Sequence, residues 1–245
     1  MSNLKGKVIL ITGASRGIGA DMALALAQQG AKLIINYANS AHEAEKIAAG
    51  IKENGGTAIV VKADVSRENE VEALFDQAIK AFGKINVLIN NAGIMHTKPL
   101  KEYTEAEFDQ HFDINVKGTF FALKQAATKL ADNGIIINVS STATRTMLPG
   151  YAIYSSTKSA IDQMTRVFSK EIGRGISVNA IAPGPTRTEL FLNGKSAELL
   201  TSIAASNAFN RIAEPADITK VVLFLASDDS KWISGQIIAA NGAMA

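Results

Sequence analysis

The sequence contains no cysteine among its 245 residues. This absence excludes disulfide bonds, thiolate metal sites and cysteine nucleophiles, and it favours a reducing compartment, for which we predict the cytoplasm. An excess of charge of one sign is also lacking, because 25 Lys and Arg face 23 Asp and Glu, for a formal net charge of +2. A chain so evenly charged does not predict a nucleic-acid-binding surface.

Long apolar runs are absent as well. The run at residues 8–11, VILI, is interrupted by Thr12 and Gly13, so it is too short for the core of a signal peptide. No other run approaches the roughly 20 residues that a transmembrane helix needs. We therefore expect no membrane partner.

What the chain does contain is an alternation of short β-branched runs and amphipathic stretches. Such alternation predicts parallel βαβ units, and consecutive apolar residues within a run indicate strands that are covered on both faces. The sequence therefore predicts an α/β fold with a doubly wound parallel sheet of about seven strands and helices on both faces. The predicted strands are 8–12, 32–37, 57–64, 85–91, 134–141, 176–182 and 235–242.

No linker or low-complexity tract interrupts this alternation, so residues 1–245 are predicted to form one domain. Apolar spacings predict a helix that ends at Gly173 and Gly175. The segment 186–210 is longer than a crossover needs, and connections of this length are often lids over an active site. Its apolar residues would then cover a substrate, although packing on the core is the alternative.

The first predicted strand leads into TGASRGIGA, residues 12–20, which fits two different patterns. In a hydrolase nucleophile elbow, G-x-S-x-G, Ser15 would be the nucleophile. That arrangement requires a histidine base late in the chain, but the three histidines, His42, His96 and His111, all lie in the first half. They also lie at no metal-ligand spacing, so no metal site is predicted.

The second pattern is a phosphate cradle. Glycines at a strand-to-helix turn let the backbone approach a pyrophosphate, and the helix N-terminus supplies unpaired N–H groups. Gly13, Gly17 and Gly19 have the spacing G-x-x-x-G-x-G. This spacing alone is a moderate signal, because glycine-rich turns also serve close packing.

Motifs further along the chain decide between the two patterns. They are NNAG at 90–93, Asn115 in INVKGTF, Ser141 in NVSST, Tyr154 and Lys158 in YSSTK, and Pro183-Gly184 after the sixth strand. Together with the glycine loop, this ordered set resembles the short-chain dehydrogenase/reductase family over the chain from residue 5 to the C-terminus. The resemblance implies a single Rossmann-type domain, a nicotinamide cofactor and an enzyme that transfers hydride.

Tyr154 and Lys158 are four residues apart, so on a helix they share one face. A neighbouring ammonium favours the phenolate, and we therefore expect Lys158 to lower the pKa of Tyr154 towards neutrality. The resemblance implies that Tyr154 protonates the substrate oxygen, Ser141 hydrogen-bonds it, Lys158 holds the nicotinamide ribose, and Asn115 supports a water linked to the lysine. Ser140 is an adjacent rival for the serine role.

The resemblance also implies a set of cofactor contacts along the carboxyl ends of the strands. Asp64 would contact the adenine, and Pro183, Gly184 and Thr188 would approach the nicotinamide carboxamide. The full predicted set is Gly13, Ser15, Arg16, Gly17, Ile18, Gly19, Asn36, Tyr37, Ser40, Asp64, Val65, Asn91, Ala92, Gly93, Tyr154, Lys158, Pro183, Gly184 and Thr188.

NAD-specific folds carry an acidic residue after the second strand, where it binds the ribose 2′-hydroxyl. Here Asn36 and Tyr37 occupy that place, and Arg16 can supply a cation to a 2′-phosphate, with Asn36 and Ser40 as hydrogen-bonding partners. We therefore predict NADP(H), with reduction as the usual direction.

The resemblance favours a carbonyl reductase acting on a small-molecule or acyl-thioester ketone or aldehyde, and the nearest subgroup is the 3-oxoacyl-acyl-carrier-protein reductases. Lys129 and Arg174 would then contact an acidic acyl carrier protein, although both can equally be ordinary surface cations. A sugar or polyol dehydrogenase and a non-catalytic NADP(H)-binding regulator are the alternatives. Family members are usually homotetramers, and the resemblance implies interfaces at the helices near 100–125 and 152–172 and at the C-terminal strand.

Overall fold

In the computed structural model, which describes residues 4–245, seven strands form one parallel sheet in the order β3-β2-β1-β4-β5-β6-β7. This order confirms the predicted doubly wound sheet, because the chain runs outward from β1 to one edge and then returns to build the other half. The strands are β1 (Val8–Ile11), β2 (Lys32–Tyr37), β3 (Thr57–Lys62), β4 (Ile85–Asn90), β5 (Leu130–Val139), β6 (Ser177–Pro183) and β7 (Ile237–Ala240).

All seven predicted strands are present, and their ends differ by a few residues. The largest difference is β5, which starts at Leu130 because an irregular segment pairs Leu130 with Ile85 before the register shifts to Ile135 opposite Val87. Asn133 within this segment has a φ of 58°, so the apolar period that identifies a strand begins only after it. At the other end, β5 stops at Val139, and the serines at 140 and 141 lie in the loop that follows.

Residues 4–245 contain ten α-helices, and the longer ones cover the two faces of the sheet. The prediction that the long helix ends before Gly173 is confirmed, since α7 stops at Glu171. The helices are α1 (Gly17–Gln28), α2 (Ala41–Glu53), α3 (Glu68–Phe82), α4 (Glu105–His111), α5 (Gly118–Lys129), α6 (Ala143–Thr146), α7 (Ala152–Glu171), α8 (Glu189–Leu192), α9 (Ala197–Ala205) and α10 (Pro215–Leu225), with a π-helical turn at Phe112–Lys117 between α4 and α5.

Two apolar clusters fill the space between the sheet and its helices, one on each face. In β1, Ile9 and Ile11 belong to the cluster under α1, α2 and α10, whereas Val8 and Leu10 belong to the cluster under α3, α5 and α7. This alternation follows from the two-residue period of a strand and explains why the strand is apolar at every position. None of the helices described at 4–245 is long and apolar enough to cross a membrane.

The segment 186–210 contains α8 and α9, neither of which has a buried residue. Leu190, Leu199 and Phe209 are exposed, so this segment is not absorbed into the core. A role as a lid remains a prediction.

Candidate active site

The glycine loop lies where the strand order reverses, between β1 and β4 at the carboxyl edge of the sheet. Gly13 and Gly17 have φ values of 61° and 57°, which favour glycine. A Cβ on Gly13 would lie 2.8 Å from the Cα of Ala92, and one on Gly19 would lie 2.6 Å from the side-chain nitrogen of Asn91. The glycine loop is therefore packed closely against the loop that leaves β4, with no space for a side chain at Gly13 or Gly19.

Helix α1 begins at Gly17 directly after this loop, and the residue before it, Arg16, makes no side-chain capping bond. The first N–H groups of a helix have no partner within the helix and carry partial positive charge. A tight glycine turn that leads into an uncapped helix N-terminus fits a pyrophosphate.

Thr12 and Asn91 hold the two loops together. The Thr12 hydroxyl accepts hydrogen bonds from the backbone N–H groups of Asn91 (3.0 Å) and Ala92 (3.1 Å), and the Asn91 side chain donates to the carbonyls of Thr12 (3.0 Å) and Gly13 (2.8 Å). Asn91 thus acts through its side chain on the glycine loop, whereas Ala92 and Gly93 present backbone. The sequence motif contained Thr12 without indicating this bracing role.

The prediction that Asn36 hydrogen-bonds a 2′-phosphate is corrected by the structure. Its side chain is 1% exposed, accepts from the N–H of Gly13 (3.2 Å) and donates to the carbonyls of Val61 (3.2 Å) and Ala63 (3.0 Å). Both the amide nitrogen and the amide oxygen of Asn36 are therefore engaged within the protein. Its side chain stabilises the glycine loop through Gly13 and does not face the cofactor side. Tyr37 and Ser40 are partly exposed.

Arg16 and Ser15 differ in their surroundings. Ser15 is 9% exposed, whereas Arg16 is exposed and its guanidinium lies 3.3 Å from the carboxylate of Glu189 on α8. Thr188, which caps α8, also approaches the loop, since a Cβ on Gly17 would lie 3.4 Å from its methyl group. The start of the 186–210 segment therefore borders the glycine loop.

Asp64 and Val65 follow β3. The Asp64 carboxylate accepts from the N–H (3.0 Å) and hydroxyl (2.8 Å) of Ser66, so one of its oxygens is used in its own turn. Val65 is buried and packs against Gly118. A Cβ added to Gly118 would lie 2.8 Å from a methyl carbon of Val65. On the far side, the N–H of Gly184 donates to the carbonyl of Ala240 (2.9 Å), which fixes the end of β6.

The tetrad predicted from the family resemblance converges near Gly93. Lys158 Nζ lies 5.9 Å from the centroid of the Tyr154 ring and donates to the carbonyl of Val139 (2.8 Å). A Cβ on Gly93 would lie 3.2 Å from Asn115 Oδ1 and 3.5 Å from Lys158 Nζ. Strand β5, helix α7, the π-helical turn and the β4 loop each contribute to this one place.

Of the two candidate serines, Ser141 faces the tyrosine. Its hydroxyl accepts from the N–H of Ala143 (3.1 Å), and it lies close enough to Tyr154 to lower the pKa of that phenol, against the larger effect of burial. Ser140 is buried, its hydroxyl has no partner, and its N–H donates to Ile181 in the sheet. The geometry therefore favours Ser141 over its rival.

Asn115 occupies the π-helical turn and is buried. Its side chain binds Ile94 twice, accepting from the N–H (2.8 Å) and donating to the carbonyl (3.0 Å), and it donates its other hydrogen to the Thr157 hydroxyl (3.0 Å). Both amide hydrogens are therefore engaged by protein. Its main structural effect is to hold the β4 loop against α7.

The direction of the Tyr154 pKa differs from the sequence prediction. Burial raises the pKa of Tyr154 to about 12, and the hydrogen bond from Ser141 offsets only part of this. Burial also lowers the pKa of Lys158 to about 8, although the charge of Asp162 one turn away opposes that shift. We expected the lysine charge to dominate, but desolvation of both groups is the larger effect. Tyr154 consequently keeps its proton at neutral pH.

Comparison with known proteins agrees with this geometry. The family model described as enoyl-(acyl carrier protein) reductase matches residues 13–244. The chain belongs to the short-chain dehydrogenase/reductase family. Versicolorin reductase of Emericella nidulans is 43% identical over 252 residues, which cover 98% of this chain and 96% of that protein. An NADPH-dependent aldehyde reductase-like protein of Arabidopsis thaliana, described as chloroplastic, is 40% identical over 254 residues, which cover 98% of this chain and 94% of that protein.

A solved relative places a cofactor in the same fold. The crystal structure of the angucycline C-6 ketoreductase LanV with bound NADP superposes with a TM-score of 0.93 at 38% identity, covering 99% of this chain and 97% of that one. As a member of this family the chain is an NADP(H)-dependent oxidoreductase that acts on carbonyl compounds. Within residues 4–245, no group of three or more His, Asp or Glu side chains could hold a metal ion.

Proposed function

We propose that this protein reduces a small-molecule ketone or aldehyde to an alcohol, with Tyr154 as the proton donor. The observation that carries the proposal is the convergence of the tetrad beside Gly93, where Lys158 Nζ lies 5.9 Å from the centroid of the Tyr154 ring. A phenol that keeps its proton at neutral pH can deliver it to a carbonyl oxygen, and the Ser141 hydroxyl can hold that oxygen in place. Reduction is therefore the proposed direction.

The nicotinamide supplies the hydride when it is bound. The chain's own residues hold and orient it: the loop from Gly13 to Gly19, including Ser15 and Ile18, offers backbone N–H groups to the pyrophosphate. Lys158 would hold the ribose hydroxyls, Asp64 and Val65 the adenine, and Pro183, Gly184 and Thr188 the carboxamide. Asn91, Ala92 and Gly93 close the other wall.

Arg16 is the proposed 2′-phosphate partner, with Tyr37 and Ser40 beside it. It is exposed, and it stands at the last position before α1, so its guanidinium is free to leave Glu189 for a phosphate. Exposed ion pairs contribute about 0–1 kcal/mol, so the exchange costs little.

Docking to an acyl carrier protein has less support. Lys129 pairs with Asp76 (2.5 Å), and Arg174 pairs with Asp132 (2.7 Å) and donates to the carbonyl of Ala127 (2.7 Å). Both cations thus have partners within the chain, and their charges are already compensated locally. We therefore favour a free ketone over a carrier-bound 3-oxoacyl thioester.

The apolar mouth of the site favours a bulky, planar ketone. Met147, which is 86% exposed, and Leu148, which is 49% exposed, lie between Ser141 and Tyr154, and the Tyr151 ring meets the Tyr154 ring edge-on at 6.4 Å. Among the relatives, one is named a versicolorin reductase and LanV is described as an angucycline C-6 ketoreductase. Such a surface suits an aromatic ring system better than a sugar or polyol.

The decisive experiment is a substrate panel in which NADPH consumption is followed and the alcohol is identified by chiral chromatography. The panel contains polycyclic aromatic ketones, simple aldehydes, a 3-oxoacyl thioester offered free and on acyl carrier protein, and ketoses. We expect the aromatic ketones to have the highest kcat/KM. A higher value for the carrier-bound thioester would replace this substrate class with the 3-oxoacyl one.

Binding of NADPH without turnover of any ketone or aldehyde would indicate a regulator instead. Turnover confined to ketoses would indicate a sugar dehydrogenase. The panel therefore separates all four candidates in one format.

We further propose a homotetramer, a cytoplasmic location and a lid at 186–210. Exposed aromatic side chains support the first: Phe108 on α4, Phe120 on α5, and Trp232, which is 100% exposed. Light scattering after size exclusion gives the mass of the assembly, and a monomer mass would contradict the tetramer. Fractionation of the source cells tests the location, and protease sensitivity of 186–210 with and without NADPH tests the lid.

A further inference from the structure

The loop that leaves β4 is tied to the neighbouring helical segment at every second residue. Ile94 is held at both its N–H and its carbonyl by Asn115, as described above. Lys98 donates its N–H to the carbonyl of Gly150 (3.0 Å), and its ammonium contacts the Glu107 carboxylate (2.6 Å). His96 lies between these two points. The side chains that hydrogen-bond to it belong to residues for which the family resemblance implies no role.

His96 is held through its backbone. Its N–H donates to Nε2 of His111 (3.1 Å), and its carbonyl accepts from the Tyr103 hydroxyl (2.6 Å). His111 is 0% exposed, and its Nδ1 lies 2.7 Å from the carbonyl of Glu107.

These contacts determine the tautomer of His111. A backbone N–H can only donate, so Nε2 must be the acceptor, and a carbonyl can only accept, so Nδ1 must carry the proton. A second proton on His111 would sit on Nε2, directly opposite the N–H of His96. Protonation is therefore incompatible with the tether.

The surroundings of His111 disfavour that second proton. Burial lowers the pKa of His111 below its ordinary value of 6.5, and the nearby His96 and Lys98 lower it further, whereas the Glu107 carbonyl and carboxylate oppose this. The His96 and Tyr103 rings meet the His111 ring edge-on, at 5.1 and 5.8 Å between centroids. These four residues are the titratable groups facing it from the loop, from the segment before α4 and from α4 itself.

The tethered loop is close to the reacting groups. Gly93, one residue before Ile94, is the residue whose added Cβ would lie 3.5 Å from Lys158 Nζ. At its other end, the bond from Lys98 to Gly150 reaches the turn that begins α7, the helix of Tyr154. His96 therefore lies midway along a segment that runs from beside Lys158 to the turn before α7.

We propose that His111 is a positioning residue for carbonyl reduction: its neutral imidazole fixes the backbone of His96 and so sets the substrate-side wall formed by residues 94–98. The kinetic part of this proposal rests on the proposed function. The structural part, the tether itself, can be measured without any substrate.

The structural test compares wild type with His111→Phe and His111→Gln by amide hydrogen exchange of the segment 94–98 at pH 7.5. Phe keeps a ring in the cavity but removes the acceptor, so we expect the His96 amide to exchange about 5- to 30-fold faster, the factor expected for one buried hydrogen bond. Gln offers an acceptor oxygen and a donor amide without titrating, and should restore most of the protection. Unchanged exchange in His111→Phe would overturn the proposal.

The kinetic test measures kcat/KM for the best ketone of the panel between pH 5 and 8. Below pH 6.5 we expect kcat/KM of wild type to fall along an acid limb that is absent in His111→Gln. In His111→Phe we expect a flat profile about tenfold below the wild-type value at pH 8, with an unchanged Kd for NADPH. The matched control is His42→Gln, an exposed histidine on α2, which should keep the wild-type limb. Persistence of the limb in His111→Gln would also overturn the proposal.

The two failures can be told apart. If wild type reduces none of the carbonyl compounds, the proposed function is wrong, and the exchange of His96 still decides whether His111 holds the loop. If the ketone is reduced normally by His111→Phe, the function stands and the positioning role is wrong.

Discussion

Replacement of Lys158 by methionine should stabilise the protein without cofactor while it abolishes activity. Lys158 is 5% exposed, and its pKa falls from 10.5 in the unfolded chain to about 8 in the folded one. Each pKa unit of difference between the unfolded and folded chain corresponds to about 1.36 kcal/mol. The difference of about 2.5 pKa units therefore means that burial of the Lys158 charge costs about 3 kcal/mol at neutral pH. Methionine removes the charge and keeps most of the volume.

Part of this gain is lost. The carbonyl of Val139 loses the donor at 2.8 Å, and an unpaired buried carbonyl costs about 1–2 kcal/mol. The net stabilisation is therefore about 1–2 kcal/mol, which for a chain of this length raises Tm by about 2–8 °C. Active-site residues commonly reduce stability in this way.

Differential scanning calorimetry at pH 7 and one fixed protein concentration measures the effect, because mass action makes the Tm of an oligomer concentration-dependent. Lys101→Met, at an exposed position, is the control and should change stability by less than about 0.5 kcal/mol. Lys158 binds its proton more tightly in the unfolded chain than in the folded one. The cost of burying its charge is therefore complete below pH 8 and disappears by pH 10.5, where the lysine is neutral in the folded protein. The advantage of the variant should shrink over that interval. A Lys158→Met protein no more stable than wild type at pH 7 would refute the reasoning.

Three further predictions concern the cofactor loop and its contact with α8. Gly13→Ala should raise the Kd for NADPH more than tenfold, because its Cβ meets Ala92 at 2.8 Å, whereas Gly55→Ala, which has a similar positive φ but open space, should leave the Kd unchanged. Arg16→Gln should raise the Kd for NADPH about tenfold or more and leave that for NADH within twofold, as fluorescence titration measures. Glu189→Gln should lower the Kd for NADPH about twofold in wild type and have no effect in Arg16→Gln, since it acts by releasing that arginine.

Those features that depend on local pattern could be predicted from the sequence. The strands follow from runs of β-branched residues, and the shared face of Tyr154 and Lys158 follows from helical spacing. The glycine loop follows from the spacing of glycines between a predicted strand and a predicted helix. Each of these requires only residues that are neighbours along the chain.

Features that depend on packing between distant segments could not be predicted in the same way. The direction in which the pKa of Tyr154 shifts depends on how far the tyrosine and the lysine are removed from water, which their spacing in the sequence does not determine. Asn36 has the right type for a phosphate contact, but the fold turns its side chain towards Val61 and Ala63. The role of His111 emerges only when the β4 loop returns to lie against α4.

The central claim is that Tyr154 donates the proton in carbonyl reduction. The most direct measurement is a single-turnover experiment in which wild type and Tyr154→Phe, each saturated with NADPH, are mixed with the best ketone of the panel. The phenylalanine ring fills the same space and lacks only the hydroxyl, so we expect the Kd for NADPH to stay within about twofold while the rate of alcohol formation falls at least about 10²-fold. A Tyr154→Phe protein that forms the alcohol at the wild-type rate would contradict the account.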